Sequence, residues 1–335
     1  MVNSEPIDFV ITWVDGSDPA WRAEKKRYCS EPVSDDREVR YRDWDLLRYW
    51  FRGVEEFAPW VRTVHFVTWG HLPQWLNVDH PKLHIVNHKD YIPQEYLPTF
   101  NCNPLELYLH NIDGLAEKFV YFNDDIFCLQ PLTEEDFFRN GKACDMLAFQ
   151  PIVANKDDLT MPHMMLNNSL ILAQHFDKRE NVKKQPGAYF KLGYPLLYFA
   201  YNLLELAFPQ YTGFYTVHGP FALCKQTYRE VWEKEAQTLS NTMASKFRNR
   251  ENVTIYLLRE WQKLSGNFTP KNVHSDLAYF NIGEQDRKML QTICKQTRKF
   301  ICLNDSYQLT DFDDTKKQLQ AAFEQILPER SSFEK

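Results

Sequence analysis

The strongest constraint on the fold is residues 7–14, a near-continuous apolar, β-branched run that stops at Asp15-Gly16. A run with no polar face is the pattern of a strand covered on both sides, as in a parallel sheet. Parallel strands need crossover connections, and the chain supplies them. Residues 43–57 read as a helix, with Trp44, Leu47, Phe51 and Val54 at helical spacing and Pro59 beyond its end. Strands follow at 64–68 and 83–87, a helix at 105–112, a strand at 119–122 that stops at Asn123-Asp124-Asp125, and a short strand at 146–149. Strands alternating with helices predict a mostly parallel, doubly wound, Rossmann-like α/β sheet. Ligands bind such sheets beyond the C-terminal strand ends. Asp15 and Asp124-Asp125 are therefore expected on one rim, although they lie far apart in the sequence.

The second half reads as mainly helical. Helices are expected at 164–176, 194–208, 227–238, 253–264, 285–297 and 313–327. A returning strand is expected at 300–303, ending at Asn304-Asp305, and residues 177–187, charged and closing on Pro-Gly, read as an exposed loop. The 335 residues suit one large domain, divided into an α/β part at 1–150 and a helical part at 151–335 that completes the site.

Composition excludes several classes. The net charge is −6 and no long run of Lys and Arg occurs, so a nucleic-acid partner is not expected. Seven scattered cysteines with no C-x-x-C pair argue against a disulfide framework and against zinc, and favour a reducing cytoplasm. There is no signal-peptide pattern at the N-terminus. The longest apolar stretch, 194–208, contains Asn202 and Glu205 and is too short to span a bilayer. It is expected to be a core helix, with a docking face for a lipid-linked acceptor as the alternative. Walker A, G-x-G-x-x-G and G-x-S-x-G patterns are absent.

Four places carry candidate chemistry. In Trp13-Val14-Asp15-Gly16-Ser17-Asp18, a carboxylate at a strand end precedes a glycine that lets a phosphate or metal approach the backbone. Asp15 is read as functional there, and Asp18 as the cap of a helix beginning at Pro19. Asn123-Asp124-Asp125 suits an oxygen-preferring cation, Mg²⁺ or Mn²⁺. Adjacent side chains diverge, so one carboxylate is expected on metal and the other on the acceptor or as base. His218-Gly219-Pro220 places a histidine at an accessible turn, where either a structural or a functional role is open. Arg248, in a short basic stretch, reads as a solvated patch or as a bidentate clamp on phosphate. Asn304-Asp305-Ser306 repeats the strand-end logic, with an Asx turn as the other reading.

Taken together, these motifs resemble the Stealth family of capsular and exopolysaccharide phosphotransferases, related to the animal enzyme that tags lysosomal glycoproteins with GlcNAc-1-phosphate. The resemblance runs through residues 7–18, then 42–138 with Leu47-Arg48-Tyr49, Ala58-Pro59-Trp60-Val61, Trp75-Leu76, Pro98-Thr99-Phe100-Asn101, Glu106, Leu109-His110 and Tyr121-Phe122-Asn123-Asp124-Asp125. It continues around His218-Gly219-Pro220 and Phe247-Arg248, and closes on Cys302-Leu303-Asn304-Asp305 with Pro328, Ser331, Ser332, Phe333 and Glu334. The chain departs from the family at Asn101-Cys102-Asn103, where Asn-Ser-His is common, and at Trp50-Phe51-Arg52-Gly53, where a more polar helix is common.

The resemblance implies a GT-A-like fold whose 1–150 part binds a nucleotide-sugar. It implies transfer of a hexose-1-phosphate, GlcNAc-1-phosphate or a related group, from a UDP-sugar to a polysaccharide or glycan hydroxyl, with release of UMP. Asp125, His218, Arg248 and Asp15 are then the expected catalytic residues, and Asp124, Asp125 and Asp305 the expected ligands of Mg²⁺ or Mn²⁺. Trp13, Arg48, Asn101, Glu106, His110 and Asn123 are the expected substrate contacts. The acceptor is a capsular or exopolysaccharide, with a lipid-linked form included. The expected setting is the cytoplasm, with peripheral contact at the inner face of the membrane. The competing reading is a metal-dependent glycosyltransferase that releases UDP.

Overall fold

The computed structural model describes residues 5–29, 42–154, 158–305, 309 and 311–335. Eleven strands occur among them: β1 (Ile7–Trp13), β2 (Val64–Thr68), β3 (Leu83–Asn87), β4 (Lys118–Phe122), β5 (Ile126–Cys128), β6 (Phe138–Arg139), β7 (Lys142–Asp145), β8 (Phe221–Cys224), β9 (Phe268–Pro270), β10 (Leu277–Asn281) and β11 (Phe300–Asn304). The central sheet has the order β3-β2-β1-β4-β8. Its first four strands are parallel and β8 is antiparallel to β4. The class is the expected one: mixed α/β with a mostly parallel sheet.

Side chains alternate along these strands between two cores. Phe9, Ile11, Phe66, Val120 and Phe122 join the core on one face. Val10, Val67, Phe119 and Tyr121 join the core on the other. Both faces are covered, which is why β1 and β4 carry so few polar residues.

The chain runs from β1 outward to β3 in one direction and then crosses to β4 on the other side of β1. The space between the ends of β1 and β4 is therefore the topological switch point, where a crevice opens. Ile11 lies opposite Phe122, so residues after Trp13 and after Phe122 leave the sheet together. A second sheet, β10-β11-β5, brings a third segment to this place. Cys302 pairs with Ile126, and the Leu303 amide donates to the Asp125 carbonyl at 2.9 Å. Asn304 and Asp305 follow at that edge. A third small sheet, β6-β7-β9, lies apart from the switch point in the strand order.

Several expectations need correction. The strand expected at 146–149 lies earlier, at Lys142–Asp145, and only Phe149 forms a bridge, to Phe214. Residues 177–187 are not a loop but hold helices Lys178–Lys184 and Pro186–Tyr189. Asp177 caps the first by accepting from the Glu180 amide at 2.8 Å, and Lys178 is buried against Glu205 at 2.7 Å. The helix expected at 105–112 is Cys102–Leu107 followed by a 3-10 turn, Leu109–Asn111, and the one expected from 43 begins at Leu47.

The apolar stretch at 194–208 is not a core helix. Helix Leu196–Glu205 buries only Tyr198, Asn202 and Glu205. Among the described residues no helix is long and apolar enough to cross a membrane. All seven cysteines are free thiols.

Candidate active site

The carboxylates at the switch point are held by different means. Asp15 Oδ1 accepts from the Ser17 amide at 2.8 Å and the Ser17 hydroxyl at 2.6 Å. The Asp15 amide donates to His71 Nε2 at 2.7 Å. That bond makes His71 Nε2 an acceptor, in keeping with burial lowering the affinity of this imidazole for a second proton. Asp18 caps helix Pro19–Tyr28 through the Trp21 amide at 2.8 Å.

Across the crevice, His218 precedes β8 and its ring bridges two walls. Its Nε2 lies 3.3 Å from Asp125 Oδ2 and 3.4 Å from Asn123 Nδ2. Its Nδ1 lies 3.1 Å from the Tyr256 hydroxyl, on helix Ile255–Leu264. Asp125 Oδ2 also accepts from the Cys302 thiol of β11 at 3.4 Å. Asp125 Oδ1 is buried and has no hydrogen-bond partner among the described residues. Asp125, His218 and Cys302 thus offer ligand atoms within 4.8 Å of one another.

The electrostatics of this group are strained. Asp124 keeps solvent-exposed surface, yet its carboxyl is pushed up to about 7 by crowding protein, by Asp125 and by Asp43. Asp43 is itself raised, by burial first and then by Asp45 and Asp15. Burial opposes protonation of His218, but the carboxylates of Asp125 and Glu106 outweigh it and hold the imidazole above its ordinary range. Burial, reinforced by Asp125, lifts the Cys302 thiol well above its ordinary value, so it stays a protonated donor.

Behind the histidine lies a second polar chain. The Thr12 and Tyr121 hydroxyls are 2.9 Å apart, and the Tyr121 hydroxyl donates to Glu106 Oε1 at 3.1 Å. Burial raises the Glu106 carboxyl, partly countered by Arg248 and Tyr121. Arg248 Nη2 donates to Cys102 Sγ at 2.7 Å. The loop carrying Arg248 is clamped to the segment before it. Phe100 stacks on Phe247 at 5.4 Å, and its amide donates to the Lys246 carbonyl at 2.8 Å. Asn101 is buried and donates to Asn252 Oδ1 at 2.8 Å.

The remaining candidates have other placements. Trp13 stacks on Phe66 at the end of β1 and meets His71 edge-on. Arg48 pairs with Asp45 at 3.5 Å and covers the Trp75 ring. Asp305 accepts from Arg42 at 3.3 Å and from the Trp44 indole at 3.2 Å. Ser306 lies outside the described residues. His110 is not brought to the crevice. It packs among Tyr108, Tyr228 and Trp232, and burial, with Lys225 and Arg229 nearby, pulls it down to about 4.

The structure therefore gathers Asp15, Asn123, Asp124, Asp125 and His218 at the crevice, with Glu106 and Arg248 behind. It adds Asp43, Tyr256, Cys302 and Cys102, which sequence reasoning missed. Only Asp43 carried a local signal, the one-residue spacing of Asp43-Trp44-Asp45 ahead of an apolar helix. Beyond Tyr256 lies a cavity of about 390 Å³, lined by Met161, Met165, Asn168, Phe214 and Glu260 among others. Burial raises Glu260 to about 7 despite Lys263 at 2.8 Å.

A parallel sheet with ionisable groups converging on its switch point is the architecture of an α/β enzyme. Models of the Stealth protein conserved regions 1, 2 and 4 match residues 5–29, 40–146 and 291–335. The chain is 39% identical to the capsular polysaccharide phosphotransferase WcwK of Streptococcus pneumoniae, covering 100% of both. It is 36% identical to the exopolysaccharide phosphotransferase cps2G of Lactiplantibacillus plantarum, over 98% of this chain and 96% of that one. The chain belongs to the Stealth family, and it is an enzyme, a phosphotransferase. Among solved structures, the bifunctional glycosyltransferase WbbM matches 97% of this chain and 52% of its own length at 11% identity and a TM-score of 0.38, too low to build on.

Proposed function

We propose that the protein transfers a hexose-1-phosphate from a UDP-sugar to a hydroxyl of a capsular or exopolysaccharide, releasing UMP. The observation that carries this reading is the Asp125–His218 pair, 3.3 Å apart at the switch point and faced by Asp124 and Asp43. The WcwK and cps2G relatives, a capsular and an exopolysaccharide phosphotransferase, support the same class of acceptor.

Mg²⁺ or Mn²⁺ suits the carboxylates. Asp125 Oδ1 is buried with no hydrogen-bond partner among the described residues, and Asp124 is raised to about 7 by desolvation first and then by Asp125 and Asp43. Such oxygens gain most from a hard cation. The protonated Cys302 thiol suits it less, so Asp124 and Asp125 would hold the ion, with Asp15 and Asp305 at the same rim. A bound cation would supply charge compensation to the diphosphate of the donor.

The acceptor oxygen bonds to the β-phosphorus as the phosphorus–oxygen bond to UMP breaks. The Asp125–His218 pair receives the hydroxyl proton, and Tyr256 fixes the plane of the imidazole. Arg248 offers preorganised donors to the phosphoryl oxygens. Glu106 and Tyr121 position Arg248 and the histidine from behind. Trp13 and Asn123 line the donor side, and the cavity past Tyr256 is open to the acceptor.

The test is product identity. The purified enzyme, Mg²⁺, a panel of UDP-sugars and a polysaccharide fragment should yield UMP and a phosphodiester-linked sugar, read by mass spectrometry. UDP with a glycosidic product would instead establish a glycosyltransferase on this fold.

A further inference from the structure

Helix Leu196–Glu205 is amphipathic in the inverted sense. On a soluble helix the apolar stripe faces the core and the polar stripe faces water. Here the stripe at Tyr198, Asn202 and Glu205 is buried, and the leucines face out. Leu192 is 92% exposed, Leu196 87%, Leu204 65%, Leu203 60%, Leu197 55% and Phe208 52%. Contiguous apolar surface of this kind marks a place where something else binds.

The helix is locked in this orientation. Asn202 accepts from the Phe149 amide at 2.7 Å and donates to the Tyr189 carbonyl at 2.5 Å. Glu205 pairs with buried Lys178 at 2.7 Å and accepts from Thr212 at 2.5 Å. Rolling the leucines inward would break the Lys178–Glu205 pair and leave two charges, each 3% exposed or less, without their counter-ion.

Charge identifies the occupant. Between Lys191 and His218 the only acidic or basic side chain is Glu205, which is buried. The apolar face is therefore free of exposed charge. Its approach carries exposed Arg179, Lys183, Lys184 and Lys191 against exposed Asp177 and Glu180, and Glu180 pairs with Lys183 at 3.2 Å. An uncharged apolar ridge with a cationic flank matches the interface of an anionic bilayer. A second copy seated on this face would bring the same cations against each other.

We propose that helix Leu196–Glu205 and its flanks dock the protein peripherally on an anionic lipid bilayer. The leucines enter the headgroup boundary and the lysines contact lipid phosphates. Tyr198 packs on Tyr215 at a ring distance of 3.9 Å, only three residues before His218. A docked helix therefore sets how the crevice faces the membrane. The inference rests on this surface alone and is independent of the reaction proposed above.

The test is vesicle co-sedimentation of the full chain on phosphatidylcholine–phosphatidylglycerol vesicles and on pure phosphatidylcholine. The wild type is expected to pellet with the anionic vesicles. The variant L196S/L203S/L204S should lose at least about tenfold in partitioning. The variant K183Q/K184Q/K191Q should bind weakly and lose the dependence on salt. These positions are exposed, so circular dichroism melts should match the wild type, and soluble turnover should persist in both variants. A wild type that stays in the supernatant, or a triple-serine variant that pellets equally, overturns the proposal. So does light scattering that finds a dimer which the serine variant splits to monomers without any vesicle binding.

Discussion

The two ends of strand β1 treat a carboxylate in opposite ways. At its start, Asp8 is fully buried and fully bonded. Arg62 grips both its oxygens, at 2.8 and 2.5 Å, His65 Nε2 lies 3.1 Å away, and the Ala116 amide donates at 2.7 Å. Burial alone would raise this carboxyl, but Arg62, His65 and Ala116 outweigh it and hold it below its ordinary range. Past the other end, across the crevice from Asp15, Asp124 is raised to about 7 and Asp125 keeps an oxygen without a partner among the described residues. A carboxylate with every lone pair matched belongs to the architecture. Carboxylates crowded together, one with an oxygen unmatched among the described residues, are the mark of a candidate functional site.

This contrast can be broken by substitution. The largest effect is expected from Asp125→Asn, which keeps the shape but removes the charge facing His218. Turnover should fall by about 10³-fold or more, while the melting temperature stays within about 2 °C. A folded variant with full turnover would remove Asp125 from the chemistry. Asp8→Asn should do the reverse. Breaking its buried pairs is expected to cost about 3 kcal/mol in denaturant unfolding, with Arg62 half-exposed and so worth less than a fully buried partner. Turnover per folded molecule should persist.

The pH dependence sharpens the comparison. From about 4 to about 7 the folded protein binds more protons at Asp124 than the unfolded chain does, so this group's contribution to stability falls as pH rises. Asp8 has the opposite sign. Its contribution is full above the ordinary carboxylate range and is lost as pH falls through its lowered folded value. The urea midpoint of Asp124→Asn relative to wild type should therefore rise as pH goes from about 4 to about 7. Smallest of all, Asp124→Asn should raise the melting temperature without added metal by about 2 °C at pH 8, by relieving repulsion from Asp125 and Asp43. Mg²⁺ should raise the wild-type melting temperature and leave that of Asp124→Asn nearly unmoved.

Much of the fold was legible locally. β2 and β3 have the bounds expected from their apolar runs, and β1 and β4 differ by one residue. Parallel strands packed against the core leave a dense apolar signal over five to seven residues, although β3 is mostly half-buried. β5, β6 and β8 have two to four residues and pair only because neighbours hold them, so no local pattern marks them. The helices at 178–189 were hidden by their charge. Lys178 looks like a surface residue until Glu205, 27 positions away, is placed against it.

The same division runs through the site. That a carboxylate follows a strand is a local fact, so the placement of Asp15, Asp124 and Asp125 at one rim followed from strand ends and the switch-point rule. Which atoms face those carboxylates was decided by strand order. His218 reaches Asp125 across 93 residues because β8 joins β4, and Cys302 reaches it across 177 because β11 pairs with β5. His110 packs on Tyr228 and Asn101 donates to Asn252, partners 118 and 151 positions away that no local pattern shows. The apolar count of residues 194–208 was equally plain, but its outward direction was not. The sequence by itself determined which segments are strands and helices and where charge sits along them, because those follow from the near neighbours of each residue. The tertiary structure alone decided which face is buried and which charges meet, because burial and pairing depend on segments brought together from far along the chain.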